Sequence, residues 1–339
     1  MPTAVRCGTG PGCDTVDRVI DINSPRLRRT LPAVAIAASL AMPVVGAARP
    51  AAVPAPAPAT TAPLTTMTPA ALAARYAVSR DDIRAAERVA GDHGDRWRAA
   101  MLSAMADPAR RFLSFDGRDG GRAVEVFGDL ESAEDVAVLV PGGDTHLDKY
   151  GLLRAGALRL RQALGDRSAV IAWLGYRTPN TVSLASLTAA HADDGAVALR
   201  TFVRELTTVK PAARVSLVCH SYGSVVCGRA VPGLDVDHLV LIGSPGVTVD
   251  HVGALRTRAA VWAGRGSRDW VARVPHTRVR LPFVTLGFGA DPVSPGFGAR
   301  VFAAGDGRHS DYFKAGSLSL ANIARIVSGR PPVEARRAA

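Results

Sequence analysis

Ser221 stands in the run RVSLVCHSYGSVVCG, where an apolar stretch gives way abruptly to small residues. A serine hydroxyl becomes a nucleophile when an imidazole takes its proton and an acid orients that imidazole. Downstream, Asp269 follows AAVWAGRGSR and His309 follows ARVFAAGDGR, each just past an apolar run. Serine, then acid, then histidine is a chain order in which the three groups meet at the ends of neighbouring strands. His238, His251 and His276 also follow Ser221, but they sit before a strand, in a loop after one, or ahead of FVTLGFG. Asp291, in GFGADP, is the alternative acid, because it too ends a candidate strand. His220 reads as a supporting residue beside the nucleophile rather than a second base. The charge that develops in acyl transfer needs backbone N–H donors. Tyr222, next after the serine, offers one. The loop VLVPGGDTH offers the other, with Gly142 and Gly143 permitting close approach and Gly143 or Asp144 donating.

These groups need elements that bring them together. VAVLVPG (136–142), AVIAWLG (169–175), RVSLVCH (214–220), HLVLIGS (238–244) and AAVWAGR (259–265) are near-continuous apolar runs. Such runs belong to strands buried on both faces of a parallel sheet. RAVEVFG (122–128) alternates like a half-exposed strand, FLSFDGRDGGR before it reads as a turn cluster, and ARVFAAG (299–305) reads as the last strand. FVTLGFG (283–289) reads as either a strand or a connecting loop. Helical spacing fills the intervals at 152–164, 192–206 and 224–231, and again at 315–328. Strand and helix in alternation predict a three-layer α/β domain. Residues 68–109 predict a helical leader, with Ser79 as a start signal and Ile83, Ala86, Ala90, Trp97 and Met101 forming its apolar stripe.

FLSFDGRDGGRAVEVFGDL, VAVLVPGGDTHLDKYG, VCHSYGS, GADP running into FGARVF, and HSDYF together resemble an actinobacterial α/β-hydrolase family of uncharacterised function, whose elbow usually reads GHSYGS. The resemblance covers roughly residues 110–328. It implies an α/β-hydrolase three-layer fold, with a mostly parallel sheet and helices on both faces, and a serine hydrolase acting on an ester. It maps Ser221 to the nucleophile, His309 to the histidine of the final motif, and Asp269 to the usual acid position. Cys219 departs from the pattern, since glycine is usual two residues before the serine.

The remaining features bound the reading. Arg26, Arg28 and Arg29 precede LPAVAIAASLAMPVVGA, the layout of an export signal cut near Ala47 or Ala48, so 1–48 is a leader. An uncleaved membrane anchor is the alternative. Residues 49–67 read as an extended Pro/Ala/Thr linker, 110–330 as the hydrolase domain and 331–339 as a tail. Secretion or cell-envelope association follows as the expected location. Net charge is +11, yet 38 of the 41 basic residues are Arg, spread along the chain with only 5% aromatics, which argues against nucleic-acid binding. No cofactor or metal is expected: HADD (191–194) opens a helix, and GTGPGC lacks the strand and helix of a dinucleotide loop. A helix after Ser221 puts Cys227 about two turns from Cys219, which predicts two buried thiols and no bridge. YRTPNTVSLASLT (176–188) reads equally as a short lid or a surface loop. The expected protein is thus an exported serine hydrolase for a small-molecule or lipid-like ester. A thioesterase or amidase with the same triad, and a catalytically silent envelope-binding protein on the same scaffold, are the alternatives.

Overall fold

The computed structural model describes residues 53–180, 188–280 and 285–334. The signal-like segment, Cys7, Cys13, residues 181–187 of the lid-or-loop stretch and the last residues of the tail lie outside them. Among the described residues no helix is long and apolar enough to cross a membrane.

Five strands follow the apolar runs closely: β3 (Asp135–Val140), β4 (Ser168–Leu174), β5 (Arg214–His220), β6 (His238–Ile242) and β7 (Ala260–Gly264). With β1 (Arg111–Asp116), β2 (Arg122–Gly128) and β10 (Arg300–Val301) they make one sheet in the order β1-β2-β4-β3-β5-β6-β7-β10. The β1–β2 and β2–β4 pairings are antiparallel and the other pairings in this sheet are parallel. The sheet is buried on both faces, as continuous apolar strands require. Val136, Val138 and Val140 of β3 pack with Leu199 and Val225, whereas Ala137 and Leu139 pack with Leu160 and Ile323. The first group belongs to α4 (Ala190–Val209) and α5 (Gly223–Ala230), the second to α3 (Tyr150–Leu164) and α6 (Leu318–Val327).

Several boundaries differ from the sequence reading. FLSFD is a strand, not a turn cluster: Phe112, Leu113 and Phe115 are buried and pair with β2, and the turn begins only after Asp116. The last strand shrinks to Arg300–Val301, which pairs with Trp262 and Ala263 of β7 before the chain turns away. Within 283–289 only β9 (Thr285–Leu286) is strand, and it closes a small hairpin with β8 (Val279–Arg280) instead of joining the main sheet.

The leader is two helices, α1 (Pro69–Asp92) and α2 (Arg96–Met105). Ser79 does not start a helix; it is buried in the middle of α1, whose cap is Thr68 accepting from the Ala71 N–H, with Pro69 in the first turn. Ile83, Ala86 and Ala90 do form the buried stripe, but Trp97 points outward. Residues 53–67 form neither helix nor strand yet lie against the domain. Leu64 and Met67 pack on one apolar cluster, Val53 and Ala55 on the other, and Glu205 accepts from the Leu64 N–H. A cavity of about 490 Å³, lined in part by Pro58, Leu64, Arg75 and Trp173, lies beside this strap.

Cys219 and Cys227 form a disulfide, with their Cα atoms 6.5 Å apart, and so are not the two free thiols expected. The expectation counted turns of helix but not the reversal at Ser221. From Cys219 the strand runs two residues, about 6.6 Å, to the turn. From Gly223 the helix runs back four residues, about 6 Å, to Cys227. The two rises nearly cancel, and the cysteines come level across the β5–α5 packing. Both residues are fully buried, so the bridge is tested in unfolded protein. A thiol reagent applied to the denatured chain from residue 53 onward will find no reactive cysteine before reduction and two after it; two before reduction would rule the bridge out.

Candidate active site

β5 ends at His220, and the chain reaches α5 through Ser221 in the left-handed region, with φ +54°. A non-glycine residue held there costs about 1–3 kcal/mol, comparable with the gain from burying one large aliphatic side chain. The surroundings impose it: the Ser221 N–H donates to the Ile242 carbonyl at 3.0 Å, and the Ser221 carbonyl accepts from the Ser224 N–H at 2.9 Å. Gly223 cannot be larger, because a Cβ there would lie 2.5 Å from the Val140 carbonyl oxygen and 2.6 Å from that of Pro141. Cys219 occupies the other small position with a sulfur bonded into α5.

Around this turn the structure brings together three of the expected residues. His309 Nε2 lies 2.8 Å from Ser221 Oγ, and His309 Nδ1 lies 2.9 and 3.0 Å from the two Asp269 carboxylate oxygens. A carboxylate only accepts, so the Nδ1 proton points to Asp269 and Nε2 is left to accept from the serine. Asp269 is buried. Burial by itself would raise its carboxyl, but hydrogen bonds from His309, Tyr312 and the Val271 N–H together hold it below the ordinary value. It is therefore an anion beneath the His309 ring, the arrangement that favours proton transfer from Ser221.

Asp291 is elsewhere. Its carboxylate pairs with Arg265 at 2.6 Å and caps the Val293 N–H at 3.1 Å, and His276 Nε2 is 3.7 Å away. The oxyanion donors divide. The Tyr222 and Gly143 N–H groups make no hydrogen bond to another described residue, and Gly142 lies directly against the Ser221 side chain. The Asp144 N–H is already spent, donating to the Pro179 carbonyl at 2.9 Å, which removes Asp144 from the expected donors.

Three contributions were not assigned from sequence, those of Tyr312, Gly243 and Trp270, and for His220, read as a supporting residue, the contact was not. Tyr312 donates to Asp269 Oδ2 and accepts from the Gly266 N–H at 3.1 Å, and burial followed by the Asp269 hydrogen bond pushes its phenol far up. HSDYF was legible as a motif, but nothing in the string says that its tyrosine reaches the acid. His220 donates from Nε2 to the His309 carbonyl at 2.7 Å, and desolvation, reinforced by the His309 imidazole, depresses it to about 4. It stays neutral near pH 7 and holds the backbone of His309. Gly243, after β6 with φ +53°, leaves room for the pair: a Cβ there would come 2.8 Å from Asp269 Oδ2 and 3.1 Å from His309 Cε1. Trp270 packs on the His309 ring at a centroid distance of 4.8 Å.

The strand order, with the strained serine at the carboxyl end of β5, is that of the α/β-hydrolase fold. Residues 116–279 match a family model described as alpha/beta hydrolase. Ser221 and Asp269 fall inside the matched segment and His309 beyond it. An uncharacterised protein of Mycobacterium tuberculosis is 31% identical over 252 residues, an alignment covering 64% of this chain and 38% of that protein. The chain thus spans well under half the length of the curated relative it matches. Among solved structures, a lidless α/β serine hydrolase of Xanthomonas campestris is 17% identical with a TM-score of 0.40, covering 66% of this chain and 93% of that one. Esterase PE8 is 16% identical with a TM-score of 0.41, covering 60% and 96%. A hormone-sensitive lipase from a metagenome library is 12% identical with a TM-score of 0.42, covering 70% and 91%.

Two measurements probe the supports. The unfolded chain protonates His220 near about 6.5, the folded chain only at about 4. Between these values the unfolded state binds more protons, so acidification costs stability, by up to about 1.4 kcal/mol per pH unit. His220→Gln keeps a donor without titrating, and its urea midpoint will fall less steeply than wild type as pH drops through this window. Tyr312→Phe strips a donor from buried, charged Asp269, and its denaturant melt will show a loss of about 1.5–3 kcal/mol; an unchanged melt would show that the hydroxyl contributes nothing there.

Proposed function

We propose that the protein is an exported serine hydrolase that cleaves a carboxylic ester through an acyl-enzyme on Ser221. The observation that supports this reading is the continuous hydrogen-bonded series from Ser221 Oγ through His309 to Asp269. His309 Nε2 takes the hydroxyl proton as Ser221 Oγ attacks the ester carbon. The carbonyl oxygen becomes an oxyanion facing the Tyr222 and Gly143 N–H groups. As the carbon–oxygen bond to the alcohol breaks, the imidazolium returns its proton to the departing alkoxide, leaving the acyl group on Ser221. A water then attacks the acyl-enzyme with His309 again as base and releases the acid. Asp269 stays ionised throughout, fixing the Nδ1 tautomer and stabilising the imidazolium.

Export is supported by the signal-like segment at 26–48 and by the Cys219–Cys227 bridge, since disulfides persist mainly in oxidising compartments. An envelope location would place the ester substrate among cell-surface or extracellular compounds.

Wild-type protein will be labelled by a fluorophosphonate probe and Ser221→Ala will not. Asp269→Asn will lower turnover of a short-chain ester by about 10⁴-fold, the scale for a lost orienting acid. Asp291→Asn, which breaks only the Arg265 pair, will keep most of the activity. If Asp291→Asn is the inactive variant and Asp269→Asn is not, the acid assignment is wrong.

A further inference from the structure

We infer that Trp270 forms the wall against which the alcohol portion of the ester rests, and that the enzyme takes esters of flat apolar alcohols, aryl alcohols above all. This inference rests on the serine-hydrolase reading of the same site. It begins with the local chain. Asp269 turns its side chain fully inward and caps the short 3-10 turn Trp270–Arg273 by accepting from the Val271 N–H, and Val271 is itself buried. With residues on both sides anchored, Trp270 is forced outward, and 46% of it remains exposed. Its ring nonetheless stays 4.8 Å from that of His309, tilted by 51°. The indole is thus packed against the imidazole while nearly half of its surface stays open to solvent.

The reaction specifies what meets that surface. The leaving oxygen must come within hydrogen-bond reach of His309 Nε2 to collect its proton. The acyl oxygen, in the same reading, faces the Tyr222 and Gly143 N–H groups. The alcohol must therefore emerge beside His309, not beside the elbow. Other rings near His309 are already committed: His220, at 4.7 Å, is bonded to the His309 backbone, and Tyr312 is 2% exposed and bonded to Asp269. Among the described residues, Trp270 is the ring packed on His309 that is nearly half exposed. A flat apolar alcohol gains most there, because it removes indole surface from water and adds an offset or edge contact between rings. The other exposed tryptophan, Trp97, lies on the leader helix α2 and has no contact with the triad.

The test uses acetate esters that share one acyl-enzyme and differ only in the alcohol: 2-naphthyl, phenyl and ethyl acetate. Acylation is read as kcat/KM at several pH values for wild type, Trp270→Ala and Trp270→Phe. The expected result is that the naphthyl-to-ethyl ratio of kcat/KM falls about tenfold in Trp270→Ala, in line with loss of an aromatic contact and its buried area. Trp270→Phe should recover most of that ratio, and the loss should appear mainly in KM. An equal loss for all three esters, or a shift of the pH profile common to them, would overturn the proposal and make Trp270 a residue that acts through His309. A wild type that labels with fluorophosphonate and shows no preference among the esters would also overturn it. A wild type that neither labels nor turns over any ester defeats the hydrolase reading itself, and the inference with it.

Discussion

One backbone residue in a disfavoured conformation organises this molecule. Ser221 sits at φ +54° because the chain must leave β5 and return along it as α5 within two residues. A strain of about 1–3 kcal/mol persists only where packing over-determines it. Here the Ile242 carbonyl holds the Ser221 N–H, the Val140 and Pro141 carbonyls press on Gly223, and the Cys219–Cys227 bridge ties strand to helix on the far side of the turn. A side chain on such a turn stands clear of the sheet, and its hydroxyl can be reached from the ends of β7 and β10. The cysteine that replaces the usual glycine is thus the strand half of a clamp on the turn. It fits because its sulfur is directed into the helix packing and not toward Gly223.

The second dependence is electrostatic. An anion as deeply buried as Asp269 is costly unless donors surround it. His309, Tyr312 and the Val271 N–H supply three, and together they outweigh the desolvation that would otherwise neutralise the acid. Each donor is fixed from elsewhere: Tyr312 by the Gly266 N–H, His309 by His220, and Val271 by burial. The positions of Ser221, His309 and Asp269 thus rest on further residues, from the end of β5 and the segments after β6, β7 and β10. The same arrangement accounts for Trp270, which is turned outward because its neighbours on both sides are turned in.

The segments ahead of the sheet also bear on the site. Arg98 of α2 is buried and pairs at 2.7 Å with Asp148, in the segment that follows the Gly142–Gly143 loop. Arg110 grips buried Glu125 through two hydrogen bonds, and Tyr150 at the start of α3 donates to the same carboxylate. Leader, β2 and the first helix after the Gly142–Gly143 loop are therefore joined by charges that desolvation penalises if any partner is removed. The strap at 53–67 covers apolar surface that would otherwise face water.

Much was legible in the string because it depends on local pattern. Continuous apolar runs announced β3 to β7, since strands buried on both faces have no polar side. Helical spacing announced α3 to α6. The order Ser221, Asp269, His309, each just past a run, nominated the groups that meet at one edge of the sheet. The turn in FLSFDGRDGGR was placed too early because Gly and Asp there outweighed a short apolar strand that is evident only from its pairing with β2. The misreadings share a cause, which is that they depend on distances between residues remote in sequence or folded back on each other. Cys219 and Cys227 looked separated when the intervening helix was counted without its reversal. The Asp144 N–H looked available, but it meets the Pro179 carbonyl, and the alternative acid Asp291 pairs with Arg265, contacts that no local pattern announces. Composition and periodicity determined which strands and helices form and which residue types could react. Only the tertiary structure decided which of those residues touch, because hydrogen bonds, ion pairs and disulfides act over a few ångströms and the chain must be folded before such distances exist.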